Sequence, residues 1–252
     1  MNDYNPPKDL LAGRTILVTG AGDGIGRVAA ETFGKYGATV ILLGHTIPKL
    51  EKVYDAIDDA GGAQPAIYPL NLETAKDTDC YTLYETIEKE FGSLEGILHN
   101  AAQSPSLARV DDYDLKAYYK VMQVNLNAPF MLTQACMPLL RKAKDASVVF
   151  TSDTVGRKAK AYWGAYAISK FGIEGFMQVL ADETRDSSNI RVNSLDPGPT
   201  RTLLRAGAYP GEDPHTVKLP ETLMPLYLWL MGPNSIGTHG EAIEAEKWEL
   251  PR

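Results

Sequence analysis

Short apolar, β-branched runs alternate along this chain with longer stretches in which apolar residues recur every three or four positions. Thr15–Thr19, Ala38–Leu43, Ala66–Leu70, Gly96–His99, Ser147–Thr151 and Ile190–Leu195 predict buried strands. Between them the periodicity predicts helices near Gly26–Tyr36, Pro48–Ala60, Ala75–Phe91, Leu115–Lys142 and Ala161–Ser187. Pro48 is a first-turn signal, and Pro129 predicts a kink in the fourth helix. The alternation implies an α/β fold: a doubly wound parallel sheet, right-handed crossovers, and helices on both faces. Ligands of such sheets bind beyond the carboxyl ends of the strands. Gly20, Asn100, Asp153 and Pro197 each follow a predicted strand directly, so they are expected to converge on one edge.

A length of 252 residues with 44% hydrophobic content suits one domain with a sizeable core, spanning 1–252, with Met1–Ala12 as a loosely ordered arm. The net charge of −7 argues against nucleic acid or an anionic membrane as a main partner, while allowing a local basic pocket. Cys80 and Cys136 read as small core residues in a reducing cytoplasm. Leu223–Met231, the most apolar late run, is too short to span a bilayer, and the first twelve residues lack a basic-then-apolar leader pattern. A cytoplasmic protein is expected, with no metal site.

Two patterns carry chemistry. The first predicted strand runs into Gly20-Ala21-Gly22-Asp23-Gly24-Ile25-Gly26 and then a helix, the context of a dinucleotide-binding turn. Glycines there let backbone approach a pyrophosphate at a helix N-terminus. Farther on, Tyr166 and Lys170 stand one helical turn apart on one face. A phenol near pKa ~10 is a poor acid or base at neutral pH, and an adjacent ammonium is expected to lower that value.

The glycine spacing after Thr19, together with Tyr166 and Lys170, resembles the short-chain dehydrogenase/reductase family, the classical branch with a TGxxxGxG turn and a YxxxK helix. His99-Asn100-Ala101-Ala102 stands where that family carries Asn-Asn-Ala-Gly, Asn125 falls at its helical asparagine, and Pro197-Gly198-Pro199-Thr200-Arg201-Thr202 matches its turn beside the nicotinamide. The resemblance implies a single Rossmann-type domain and hydride transfer between a nicotinamide cofactor and a small-molecule carbonyl or alcohol. It gives Tyr166 the proton, Lys170 the tuning of Tyr166 and the nicotinamide ribose, and Asn125 a proton-relay water. Residues 203–220 stand at the family's substrate lid, with Arg205, Tyr209 and His215 as candidate contacts. The family's helix-pair interface implies a homodimer or homotetramer, although Glu244-Ala245-Glu246-Lys247-Trp248 replaces its usual final Val-Asp-Gly-Gly.

At the end of the second strand, Gly44 fills the place of the acid that takes the ribose hydroxyls in NAD-type members, and His45 the place of an arginine in many NADP-type ones. NADP(H) is therefore the preferred cofactor, with NAD(H) possible. Asn71 and Leu72 follow the third strand, where the family meets adenine.

One position departs from the family. Its substrate-orienting serine stands in Ser-x-x-Gly, thirteen residues before the tyrosine; here that slot holds Asp153, with Ser152 one residue early. An ionised carboxylate only accepts hydrogen bonds. At ~4 Å and an effective dielectric of ~20 it would disfavour a developing alkoxide by roughly 4 kcal/mol. That is on the order of a thousandfold in rate. Either Asp153 is protonated and donates, or Ser152 or Thr154 supplies the donor, or the chain is a catalytically weak NADP(H)-binding sensor or scaffold.

Overall fold

The strands form because their β-branched and aliphatic side chains are buried on both faces of one sheet. The computed structural model describes residues 4–104, 107–186 and 189–250. Seven strands lie in the order β3-β2-β1-β4-β5-β6-β7: β1 Thr15–Thr19, β2 Thr39–Gly44, β3 Ala66–Pro69, β4 Gly96–His99, β5 Ala146–Thr151, β6 Ile190–Asp196 and β7 Ala242–Glu244. All pairings are parallel, with Val18 facing Leu42 on one side and Leu98 on the other.

The period-two alternation of the strands divides the core in two. Ile16, Val18, Val40 and Leu42 pack against helices α1 (Gly24–Lys35), α2 (Ile47–Asp59) and α8 (Met224–Met231). Leu17, Ile41, Leu43 and Phe150 pack on the other face against α3 (Asp77–Glu90), α5 (Ala128–Lys142) and α6 (Gly164–Thr184). The predicted doubly wound Rossmann-type sheet is thus the observed one. Cys80 and Cys136 are buried free thiols, and burial raises their pKa values to about 11 and about 12. Among the described residues no helix is long and apolar enough to cross a membrane.

Five elements differ from the sequence expectation. The predicted helix over Leu115–Lys142 is α4 (Leu115–Met122), a π-helical turn (Gln123–Asn127) and then α5. Pro129 has no N–H to give the carbonyl of Asn125, four residues back, and the Ala128 N–H reaches instead to Gln123. The irregularity therefore precedes the proline. The helix expected over Ala161–Ser187 begins at Gly164, and Ser187 lies outside the described residues, as do Met1–Asp3 of the N-terminal arm. Helices α7 (Leu203–Ala208, inside the predicted loop) and α8, and the three-residue edge strand β7, carry no legible periodicity. Helix α8 is apolar on nearly every side because it is buried on nearly every side.

Candidate active site

Backbone geometry at the end of β1 makes the first wall. Gly20 and Gly24 have φ of +68° and +51°, which side chains with a Cβ rarely adopt. A Cβ at Gly26 would sit 2.4 Å from the Gly20 carbonyl oxygen and 2.6 Å from Asn100 Nδ2. Only glycine allows α1 to start this close to β1 and β4. The Thr19 hydroxyl accepts from the N–H groups of Asn100 and Ala101 at 3.0 and 3.1 Å, locking the two strand ends together. Asp23 caps α1 by accepting from the Gly24 N–H at 2.7 Å, and its bond to Lys49 holds its pKa below the usual carboxylate range.

A cleft of about 410 Å³ runs along the carboxyl ends of the strands. His45, Asn71 and Leu72 line one end, Gly20, Gly22, Asp23, Gly24 and Ile25 the middle, and Asn100, Ala101, Pro197, Gly198, Thr200 and Thr202 the far side. Ser152, Asp153, Tyr166 and Lys170 stand beyond them. Gly26 and Asn125 do not line the cleft; they hold its wall from behind. Arg205 on α7 and Tyr209 just after it reach the cleft, whereas His215 is exposed and paired with Asp213. Sequence reasoning missed Lys49, Gln103 and Trp163, which also line it, while Leu204 does so from within the expected lid. For Trp163 a signal existed, one turn ahead of Tyr166; Lys49 arrives only through the packing of α2.

The chemistry-bearing side chains are fixed by a short network. Asn125 Oδ1 accepts from the Gln103 N–H at 2.8 Å, while its Nδ2 donates to the Gln103 carbonyl at 2.9 Å and to Ser169 Oγ at 3.1 Å. Lys170 Nζ donates to the Thr151 carbonyl at 2.7 Å, and burial lowers its pKa to about 8. The Tyr166 hydroxyl donates to Asp153 Oδ2 at 3.2 Å, and Asp153 Oδ1 accepts from the Val155 N–H at 3.0 Å. Asp153 itself faces the phenol. The Ser152 hydroxyl is buried without a hydrogen-bond partner, and Thr154 donates to Asp196 at 2.6 Å.

The electrostatics at the phenol run opposite to the expectation drawn from the Tyr166–Lys170 pair. Burial raises the Tyr166 pKa well above 10, and the charge and hydrogen bond of Asp153, with Asp196 farther off, raise it again. Lys170 Nζ is 5.5 Å from the centre of the Tyr166 ring and spends a proton on the Thr151 carbonyl. Burial, joined by the carboxylate that touches the phenol directly, outweighs the ammonium.

Beyond Tyr166 the cleft becomes aromatic. The Trp163 ring lies 5.6 Å from that of Tyr166 and 5.8 Å from that of Tyr209, with Leu204 and Ala208 packed beside them. Arg205 stacks on Tyr209 at 4.4 Å and is held by Glu212 through two 2.6 Å bonds.

A family model described as short chain dehydrogenase matches residues 14–213. YciK of Escherichia coli strain K12, described as an uncharacterized oxidoreductase, is 49% identical over 248 residues, covering 98% of both chains. A short chain dehydrogenase from Escherichia coli CFT073, solved in complex with NADPH, superposes with a TM-score of 0.93 at 50% identity over 96% of this chain and all (100%) of its own. One from Shigella flexneri 2a, in complex with NADP, gives 0.92 at 49% identity over 95% and 100%.

Proposed function

The chain belongs to the short-chain dehydrogenase family of oxidoreductases, and on that premise we propose that it is an NADP(H)-dependent oxidoreductase acting between a carbonyl and an alcohol. The observation that carries this is the meeting of the glycine turn, Tyr166, Lys170 and the Asn125 network at one cleft. Bound there, the cofactor supplies or takes the hydride. Its pyrophosphate fits the cradle at Gly20–Gly26, which one added Cβ would fill. Gly44 places no acid against a 2′-phosphate, while His45 and Lys49 offer donors; relatives solved with NADP and NADPH support the same choice. NAD(H) is the weaker alternative.

Tyr166 holds the proton that the substrate oxygen gains or loses, and Lys170 is placed to meet the nicotinamide ribose. Asn125 keeps the Gln103 segment in place and orients Ser169 beneath Tyr166. The exposed apolar side chains Tyr119 on α4, Phe130 on α5, and Ile168 and Phe171 on α6 support assembly as a homodimer or homotetramer through these helices. Two buried thiols suit the cytoplasm.

The test pairs NADPH binding, followed by fluorescence, with turnover on a carbonyl panel. NADPH should bind more tightly than NADH, and Tyr166→Phe should lose about 10²–10⁴-fold in kcat with binding kept. Asp153 against Tyr166 supports a second reading, a cofactor-binding sensor of feeble activity. Turnover appearing only in Asp153→Ser supports that reading. NADPH bound but oxidised by neither protein rejects the oxidoreductase.

A further inference from the structure

Asp153 occupies the position from which a substrate oxygen would ordinarily receive a hydrogen bond, and it brings an acceptor there. Both its oxygens are engaged as acceptors, from the Val155 N–H and the Tyr166 hydroxyl. The first of these bonds caps the turn Thr154–Gly156, so the carboxylate is held by backbone rather than swinging freely. The charged groups that sense it are Tyr166 and Lys170 on α6 and Arg205 on α7, with Asp196 at the end of β6 adding a second negative charge at the phenol. Arg205 is already offset by Glu212, and Lys170, which donates to the neutral Thr151 carbonyl and keeps its charge, is outnumbered by the Asp153 and Asp196 carboxylates. The reacting end of the cleft is therefore electronegative, and the aromatic rings of Trp163 and Tyr209 wall it. A neutral carbonyl gains negative charge on oxygen as hydride arrives, which this arrangement opposes. A protonated imine loses positive charge and needs no oxyanion stabiliser. Its N–H⁺ is a donor where the protein offers an acceptor, and aromatic faces favour a cation.

We infer that the substrate presented to Asp153 carries a protonated carbon–nitrogen double bond, held through its N–H⁺ by the Asp153 carboxylate between Tyr166 and the Trp163–Tyr209 wall. This rests on the hydride-transfer part of the reading above, puts a carbon–nitrogen double bond in place of its carbonyl, and leaves Tyr166 no proton to supply in the step. The iminium carbon receives the hydride and a C–H bond forms. The C=N π pair moves onto nitrogen, the cation becomes a neutral amine, and the nicotinamide is left oxidised. The nitrogen already carries its proton, so no proton donor is consumed in the step. Asp153 acts before it, favouring the protonated and far more electrophilic form of the imine.

The experiment uses a matched pair, 2-methyl-1-pyrroline and 2-methylcyclopentanone, with NADPH at one pH, in native protein and in Asp153→Ser. A second readout is calorimetric binding of 2-methylpyrrolidinium and of 2-methylcyclopentanol to the NADP-loaded proteins. Native protein should favour the imine over the ketone by at least about a hundredfold in kcat/KM, the loss of one charge-assisted contact being worth that order. It should also bind the ammonium at least about tenfold more tightly than the alcohol. Asp153→Ser should erase both preferences while NADPH affinity, which reports the fold, stays within about twofold. Equal or better use of the ketone by native protein, or no ammonium preference, overturns the inference. Ketone reduction in that case leaves the hydride-transfer reading standing. NADPH bound but never oxidised, with either probe in either protein, removes both.

Discussion

The imidazole of His99 is sealed in the core, stacked 4.9 Å from Phe150, with Nε2 2.8 Å from Thr133 Oγ1. The single hydroxyl proton of Thr133 goes to the Pro129 carbonyl at 2.7 Å, so Nε2 carries the hydrogen of the histidine and Nδ1 is left bare and unpartnered. Protonation would place an unpaired charge there, and burial lowers the His99 pKa from 6.5 to about 3. The folded pKa lies below the unfolded one, so the unfolded chain binds the extra proton between pH 6.5 and about 3. His99 therefore contributes full stability above pH 6.5 and withdraws it as pH falls toward 3. Native protein should lose about 2–3 kcal/mol more than His99→Phe between pH 7 and pH 4.5, measured by chemical denaturation. Equal losses would show that another group senses the acid. At Tyr166 the same scale shows a residue's surroundings outweighing its motif: the Tyr166–Lys170 spacing was plain in the sequence, but the raised pKa comes first from burial and then from a carboxylate brought up from the end of β5.

Between elements, close approach is what glycine makes possible, and two glycines of α1 separate function from packing. Gly26 faces backbone: an added Cβ would meet the Gly20 carbonyl oxygen at 2.4 Å, inside the cradle. Gly34 faces α2, where a Cβ would meet Ile57 Cγ2 at 2.5 Å. Both alanine variants should lose about 1–3 kcal/mol by overpacking. Gly26→Ala should also weaken NADPH binding by about tenfold or more, whereas Gly34→Ala should leave it nearly unchanged. Titration of NADPH fluorescence checks both, and equal weakening in the two would dismiss the cradle. The strands and most helices were legible because their periodicities match their burial. Helix α8 and strand β7 were not, since one is buried all round and the other is three residues long.

Across the whole molecule, the sheet keeps its site and its fastening at opposite ends. Below the amino ends of the strands, Asp145 holds Arg14 at 2.8 Å and Arg191 through its other oxygen, joining the starts of β1, β5 and β6. Arg191 also donates to Ser235 at 3.1 Å and to the Gly232 carbonyl at 3.0 Å. Asp145→Asn would leave two guanidinium groups, one nearly buried, without their counter-ion. A loss of about 3–5 kcal/mol is expected. Because the cleft opens at the carboxyl ends, NADPH affinity at a temperature well below the variant's Tm should not change. Denaturant midpoints and cofactor titration together check this, and a parallel fall in affinity would mean that the two ends of the sheet are coupled.

The order of strands β1–β6 and the helices between them, the glycine turn and the spacing of Tyr166 and Lys170 were determined by the sequence alone, because each rests on local periodicity or on contacts one turn apart. Which face Asp153 presents, and that Ser152 is buried, required the tertiary structure: the two alternate at a strand end where one residue's rotation exchanges them. The arrival of Lys49 and Gln103 at the cleft likewise came only with the packed fold, since contacts between segments far apart in the chain leave no period in it.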